Sequence, residues 1–280
     1  SSTTNILAAT AICPAHFEMQ MVQESVEDLR SLFDRPNVHI RDREGTIARL
    51  NGLIDGGARD FTVISDFDHT LSRSHDANGR KCAVTHEVFG HPERFPDLCE
   101  KFAIFEKKYG SFEHLTEGQE RFEKMEAWWR ESNAAIAERA VHRKELPELV
   151  AATNIQLRDG AAELIGHLEQ REVPALIFSA GIGDIITVVL EQHLGRIPPN
   201  VHVVSNMMAF DEQDRNCGFS HPIIHCFNKS GAMIDKHSPV LPLISSRPHI
   251  LLLGDALGDL GMAEGLSKEE TSGVRIGFLN

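Results

Sequence analysis

Phe61-Thr62-Val63-Ile64-Ser65-Asp66-Phe67-Asp68-His69-Thr70-Leu71 is a short apolar run that ends in two aspartates spaced i, i+2. Phe61 to Ile64 is apolar and β-branched, the composition of a strand buried on both faces of a parallel sheet. Open α/β sheets bind their ligands beyond the carboxyl ends of such strands. On an extended backbone Asp66 and Asp68 point to the same side. Two carboxylates so close repel unless a cation or a proton is shared. Magnesium suits the pair, because it takes oxygen ligands and joins carboxylates to a substrate phosphate. Taken alone, a strand end with two solvated aspartates reads equally well.

Outward from this strand, the chain alternates helix and strand patterns. Before it, Glu18 to Phe33 and Glu44 to Ile54 have helical spacing, the second expected to stop at Gly56-Gly57. After it, Gly79 to Leu149 is rich in Glu, Lys and Arg, with helical periodicity and few strand signals. Then Ala161 to Gln170 and Asp184 to His193 read as helices. Val173 to Ser179, Val201 to Ser205, Ile250 to Gly254 and Val274 to Leu279 read as strands, with a hairpin expected within Phe210 to Phe227. The predicted fold is α/β, a doubly wound parallel sheet built from residues 1–78 and 150–280. A helical cap, residues 79–149, is inserted after the first strand.

Three further segments carry chemistry. Ser179-Ala180-Gly181-Ile182-Gly183-Asp184 offers a hydroxyl and glycine-flanked N–H groups able to hold phosphate oxygens, or a plain strand-to-helix turn. Lys229 could neutralise phosphate and the crowded carboxylates as a point charge. Gly254-Asp255-Ala256-Leu257-Gly258-Asp259 sets two more carboxylates after an apolar run. Asp255 would complete a magnesium site, and Asp259 would brace Lys229. Each segment is expected to follow a strand.

The 280 residues are 41% hydrophobic, enough for a sizeable core, and the formal charge of −13 argues against binding nucleic acid polymers or anionic membranes. No apolar stretch is long enough to span a bilayer, and no basic, signal-like start is visible. Five cysteines without CxxC spacing read as reduced thiols of an intracellular, cytoplasmic protein. A zinc site of Cys226 with His225 and His221 has the wrong spacing.

The order Asp66-Phe-Asp68-His-Thr-Leu71, Phe178-Ser179-Ala-Gly181, Lys229, Gly254-Asp255-Ala-Leu-Gly-Asp259 resembles the haloacid-dehalogenase superfamily of phosphohydrolases. Val203-Val-Ser-Asn206, Ile224-His-Cys-Phe-Asn-Lys229 and Ile276-Gly-Phe-Leu-Asn280 narrow the resemblance to the cytosolic 5′-nucleotidase III family, from about residue 41 to residue 280. That family comprises pyrimidine and 7-methylguanosine-phosphate-specific 5′-nucleotidases. The resemblance implies a magnesium-dependent, monomeric enzyme acting on nucleoside monophosphates. It makes Asp66 the nucleophile and Asp68 the general acid and base. Magnesium would be held by Asp66, the Asp68 backbone carbonyl and Asp255. Phosphate oxygens would be bound by Ser179, the Ala180 N–H and Lys229, with Asp259 in support. It places the base against Glu113, Ser132 and Trp129, with His86 and Phe89 on the opposite wall. Trp129 stands where methylguanosine-type members carry Trp and pyrimidine-type members Tyr. Adjacent helical residues face about 100° apart, so one of Trp128 and Trp129 is expected to pack the cap and the other to line the pocket. Two other functions fit the same residues: a phosphatase of another small phosphate ester, and a non-catalytic nucleotide-binding module.

Overall fold

The computed structural model describes residues 31–113, 118–234, 238–266 and 272–280. The chain divides into two compact units, residues 1–55 and 56–280. In the first unit, Arg43 donates to the carbonyl of Phe33 at 2.7 Å and pairs with Asp34, and Asp42 accepts from the N–H of Gly45 at 2.9 Å. The helix expected over Glu18 to Phe33 lies outside the described residues except for 31–33, which are helical.

Helix α1 spans Arg43–Asp60. Regular helix stops at Gly57, as the Gly56-Gly57 pair predicts: Gly57 takes φ 64°, ψ −169°, outside the helical region, and a separate short turn runs from there to Asp60. A glycine reaches that backbone region without a Cβ clash.

In the second unit, β1 (Phe61–Ser65) is the centre of a five-stranded parallel sheet ordered β3-β2-β1-β6-β7. Its partners are β2 (Ala175–Ile182), β3 (Val201–Asn206), β6 (His249–Gly254) and β7 (Ser272–Gly277). Alternation along these strands builds two cores. Val63, Ala175, Ile177 and Leu253 enter one apolar cluster, and Ile64, Leu176, Phe178, Ile250 and Leu252 the other. A strand turns successive side chains to opposite faces, so continuous apolar runs mean a sheet covered on both sides.

Between β1 and β2 the chain is helical: a 3₁₀ turn Thr85–Phe89, α2 (Pro96–Glu113), α3 (Gln119–Ala137), a 3₁₀ turn Arg143–Glu145, α4 (Leu146–Ala151) and α5 (Ala161–Gln170). Val88, Phe89, Leu98 and Ile136 from this stretch join the same cluster as Val63 and Ile177. Helix α6 (Gly183–Leu194) links β2 to β3. A short hairpin, β4 (Met208–Phe210) with β5 (Asn216–Phe219), and α7 (Val240–Ser245) precede β6.

Two boundaries differ from the sequence reading. β2 starts after Pro174, whose carbonyl accepts from Val63 N at 3.0 Å, and runs on to Ile182, which pairs with Asn206. The hairpin ends at Phe219, so Lys229 follows turns rather than a strand. Those turns are held by side chains: Asn206 donates to the Ile224 carbonyl at 2.8 Å, and the carbonyl oxygen of Asn228 accepts from His225 N at 2.8 Å. Among the described residues, no helix is long and apolar enough to cross a membrane.

Candidate active site

The backbone leaves β1 at Asp66 and folds into a tight turn over Phe67–Leu71. Phe67, Thr70 and Leu71 are buried and anchor it. Asp66 is extended (φ −68°, ψ 167°), but His69 is left-handed (φ 62°, ψ 3°), a region where histidine is among the tolerated side chains. The turn is tied from outside. His69 N donates to Ser72 Oγ at 2.9 Å, and Arg158 donates to the carbonyls of Thr70 at 2.8 Å and His69 at 2.6 Å. This separates the two aspartates. Asp66 stays over the strand end, whereas Asp68 accepts from Thr85 N at 3.0 Å and Thr85 Oγ1 at 2.8 Å. Burial pushes the Asp68 carboxyl above the usual aspartate range, against the pull of Thr85.

Asp66, Asp255 and Asp259 bring one carboxylate oxygen each within 4.8 Å of one another, a group able to hold a metal ion. Lys229 reaches into it, 2.5 Å from Asp66 Oδ1 and 2.8 Å from Asp259 Oδ1, with all three side chains almost fully buried. Burial alone would lower the lysine, but Asp66 and Asp259 hold its ammonium above the usual range. Burial pushes Asp66 up to about 7 despite Lys229. The other oxygen of Asp259 accepts from the N–H groups of Asp255 and Ala256, both at 3.0 Å. Asp259 is thus fully used as a brace. Asp66 and Asp255 keep acceptor capacity, and an all-oxygen donor set of this kind fits a hard cation.

Ser179, at 1% exposure, accepts from Gly181 N at 3.0 Å, which leaves its own hydroxyl proton to donate. Gly181 is required by close approach: a Cβ there would overlap Thr85 Oγ1 and stand 2.8 Å from Asp68 Oδ2. Because β2 continues to Ile182, the helix start at Gly183 lies past Ser179. Asp184 there accepts from Met208 N at 2.7 Å instead.

The carbonyl of Ala180 accepts from Trp129 Nε1 at 2.7 Å, which pins the indole to the same strand end. His86 meets the Trp129 ring edge-on at 6.0 Å, and His225 lies 6.5 Å away. Trp128 instead stacks on Tyr109 at 6.2 Å and 22°. Ser132 is buried on α3, and Glu113 is exposed at the end of α2; burial, and after it the charge of Glu113, raises the thiol pKa of Cys226. One expectation is corrected: Phe89 is fully buried and packs on Phe95 at 6.1 Å, so it belongs to the core and not to the wall facing Trp129. Phe89 and Val88 both enter the apolar cluster, while His86 meets the indole.

The model of the pyrimidine 5′-nucleotidase (UMPH-1) family matches residues 69–280. The chain is 35% identical over 280 residues to the Caenorhabditis elegans protein named putative cytosolic 5′-nucleotidase 3, covering 98% of this chain and 74% of that one. It is also 35% identical over 249 residues to 7-methylguanosine phosphate-specific 5′-nucleotidase B of Xenopus laevis, covering 88% and 84%. The crystal structure of cytosolic 5′-nucleotidase IIIB bound to cytidine is similar with a TM-score of 0.77 at 27% identity, covering 89% of this chain and 83% of that one. The chain belongs to the pyrimidine 5′-nucleotidase (UMPH-1) family.

In this family member, several residues at the site were not singled out from the sequence. Thr85 holds Asp68, Arg158 holds the aspartate turn, and Asn280 donates to Asp255 Oδ2 at 3.3 Å. His225 is 3% exposed, accepts from Phe227 N at 3.2 Å and lies among Phe122, Trp129 and Phe227. Burial pulls the imidazoles of both His225 and His86 down to about 4, so both are neutral near pH 7. The placement of His225 four residues before Lys229 was the one available hint. Among the described residues, the aspartate trio is the only gathering of metal-ligating side chains, and His225, Cys226 and His221 form none.

Proposed function

We propose that this chain is a magnesium-dependent 5′-nucleotidase that hydrolyses nucleoside 5′-monophosphates through an aspartyl-phosphate intermediate. The observation that carries the reading is the pairing of a buried Asp66–Lys229–Asp259 cluster with a Trp129–His86–His225 ring group that shares the end of β2. A phosphate site and a flat-ring site lie a few residues apart on one strand end, which suits a nucleotide better than a small polar ester.

Asp66 attacks phosphorus, and the bond to the nucleoside 5′-oxygen breaks as Asp68 delivers its proton there. Asp68 then takes a proton from the water that attacks the aspartyl phosphate, releasing inorganic phosphate and restoring Asp66. Burial of Asp68 favours the protonated form that the first step needs. Ser179, the Ala180 N–H and Lys229 bind phosphoryl oxygens where charge spreads in the transition state. Asp66, the Asp68 carbonyl and Asp255 would hold magnesium, which would supply further neutralisation of those oxygens.

Residues 79–149 act as the cap that selects the base over a core of residues 1–78 and 150–280, with Glu113, Ser132, Trp129 and His86 as base contacts. The indole supports acceptance of the cationic 7-methylguanine ring, a contact of about 0.5–2 kcal/mol, and the neutral His86 and His225 do not repel it. The cytidine held by the structural relative favours pyrimidine nucleotides as a second substrate class. We read the protein as dual in specificity, monomeric and cytoplasmic.

The test is phosphate release, with and without magnesium, from 7-methylguanosine, cytidine, uridine, guanosine and adenosine 5′-monophosphates at equal concentration. Magnesium-dependent release from the first two is expected. Release from none of the five, with a small ester such as phosphoserine turned over, would overturn the reading.

A further inference from the structure

His225 is held firmly in place, yet only half of its ring is used. The amide of Asn206, itself fully buried, donates to the carbonyls of Ala180 and Ile224, each at 2.8 Å, and accepts from Ile224 N at 2.9 Å. It staples the turn that carries His225 to the end of β2 where Trp129 is pinned. Asn228 closes that turn, accepting from His225 N at 2.8 Å and donating to the Ile223 carbonyl at 2.9 Å. Inside it, Nδ1 of His225 accepts from Phe227 N at 3.2 Å. A neutral imidazole that accepts at one nitrogen carries its proton on the other. Burial keeps this ring neutral near pH 7, which places the proton on Nε2.

That donor has nothing to bind in the protein. The ring is 3% exposed, and among the described residues no group accepts from Nε2. Its ring neighbours are Phe122, Trp129 and Phe227. Phenylalanine has no acceptor, and the indole N–H of Trp129 is a donor already given to Ala180. Buried donors are nearly always paired, and leaving one unpaired costs free energy that a ligand relieves by bringing an acceptor.

The position of the ring says which part of a nucleotide brings it. The turn ends at Lys229, in the carboxylate cluster, whereas His225 belongs with the indole. Its ring centre lies 6.5 Å from that of Trp129 and is tilted 54° to it. The imidazole therefore cannot share a stack with a base lying on the indole; it meets such a base at an edge. Cytosine, uracil and 7-methylguanine each carry an exocyclic oxygen on the edge used for base pairing. Adenine carries an amine there, a donor against a donor.

We propose that His225 is a further specificity-determining residue, donating from Nε2 to the exocyclic oxygen of the base and so favouring cytosine, uracil and 7-methylguanine over adenine. This assignment rests on the reading of the chain as a 5′-nucleotidase.

The experiment compares kcat/KM for phosphate release from cytidine, 7-methylguanosine and adenosine 5′-monophosphates, at saturating magnesium and pH 7, in the native chain and two variants. In His225→Asn the side-chain oxygen takes over acceptance from Phe227 N, but the amide nitrogen stops short of the place of Nε2. In His225→Gln the amide nitrogen reaches that place and the brace to Phe227 is lost. The native chain is expected to prefer the cytidine and 7-methylguanosine substrates to the adenosine one by roughly 100-fold. His225→Asn should lower that preference about ten-fold, chiefly by slowing the two preferred substrates. His225→Gln should keep most of it, at a lower melting temperature. A role confined to bracing the turn predicts the reverse: Asn tolerated, Gln poor, and all three substrates slowed alike. That result would overturn the proposal, as would a native chain that turns over adenosine and cytidine monophosphates equally well. If the native chain hydrolyses no nucleotide, the nucleotidase reading fails by itself. Calorimetric affinity for cytidine 5′-monophosphate in the same three chains then decides the role of His225: a loss of about ten-fold in His225→Asn sustains it, and equal affinities overturn it.

Discussion

The ammonium of Lys229 lies 2.5 Å from Asp66 Oδ1 at 6% and 5% side-chain exposure, so the proposed nucleophile is held by a fully desolvated ion pair. Removing one partner of such a pair leaves an uncompensated buried charge, a loss of about 3–5 kcal/mol. Here two carboxylates, Asp66 and Asp259, would be left facing each other. Lys229→Met is expected to lower stability by that order and to reduce kcat by roughly 10²–10³-fold, the range seen when a charge-stabilising donor is lost. Saturating magnesium should recover part of the stability, read from urea midpoints, but not the rate. A variant with wild-type stability and rate would remove Lys229 from the site.

Thr85 uses both its N–H and its hydroxyl on Asp68. Thr85→Val keeps the shape and deletes one of the two contacts. The expected result is a fall in kcat of about 10–100-fold with KM changed less than three-fold, because Asp68 acts on the leaving oxygen and not on ground-state binding. Thr85→Ser should recover most of the rate. A loss as large in Thr85→Ser as in Thr85→Val, or a loss carried by KM with kcat unchanged, would mean that Thr85 only packs.

Arg158 reaches the aspartate turn from 88 and 89 residues away, through the carbonyls of Thr70 and His69, and also donates to Asn280 Oδ1 at 2.9 Å. Asn280 in turn contacts Asp255 at 3.3 Å. One guanidinium thus positions both sides of the acidic group. Arg158→Gln is expected to weaken the apparent magnesium affinity about ten-fold, the lower end for loss of an outer-shell partner. Magnesium titration of phosphate release would show this as a shift that high metal overcomes. A rate loss insensitive to magnesium would refute the positioning role.

What was legible in the sequence was chemistry carried by contiguous residues. The run Phe61 to Leu71 and the segment Gly254 to Asp259 each contain strand, turn and carboxylates within a few positions, so their placement follows from local pattern. Thr85 and Arg158 act through contacts that only the fold creates, and neither residue type is diagnostic by itself. Phe89 shows the opposite failure. An aromatic at a plausible position was read as a wall, but side-chain direction in a 3₁₀ turn is set by packing against Phe95 and the β1 cluster. Gly57 ends regular helix where the glycine pair said it would, whereas the start of β2 moves from Val173 to Ala175, past Pro174, which has no N–H to give to a ladder.

Acid stability offers a test of the ring group. His86 and His225 are held at about 4 by burial, against an ordinary value of 6.5. The folded chain therefore favours neutral rings, and the unfolded chain takes up their protons first. Their contribution is full above pH 6.5 and is lost as pH falls toward 4, with a limiting slope of about 1.4 kcal/mol per pH unit for each ring. His225→Asn, whose side-chain oxygen can still accept from Phe227 N, removes one titration. Between pH 7 and pH 5 the wild type should lose about 2 kcal/mol more than this variant, measured by urea unfolding in the absence of metal. Taking the difference cancels the opposite trend from Asp66, whose raised pKa makes the fold gain protons in the same window. If the two pH profiles run parallel, His225 is solvated in solution and the closed ring group around Trp129 is not the state that meets substrate.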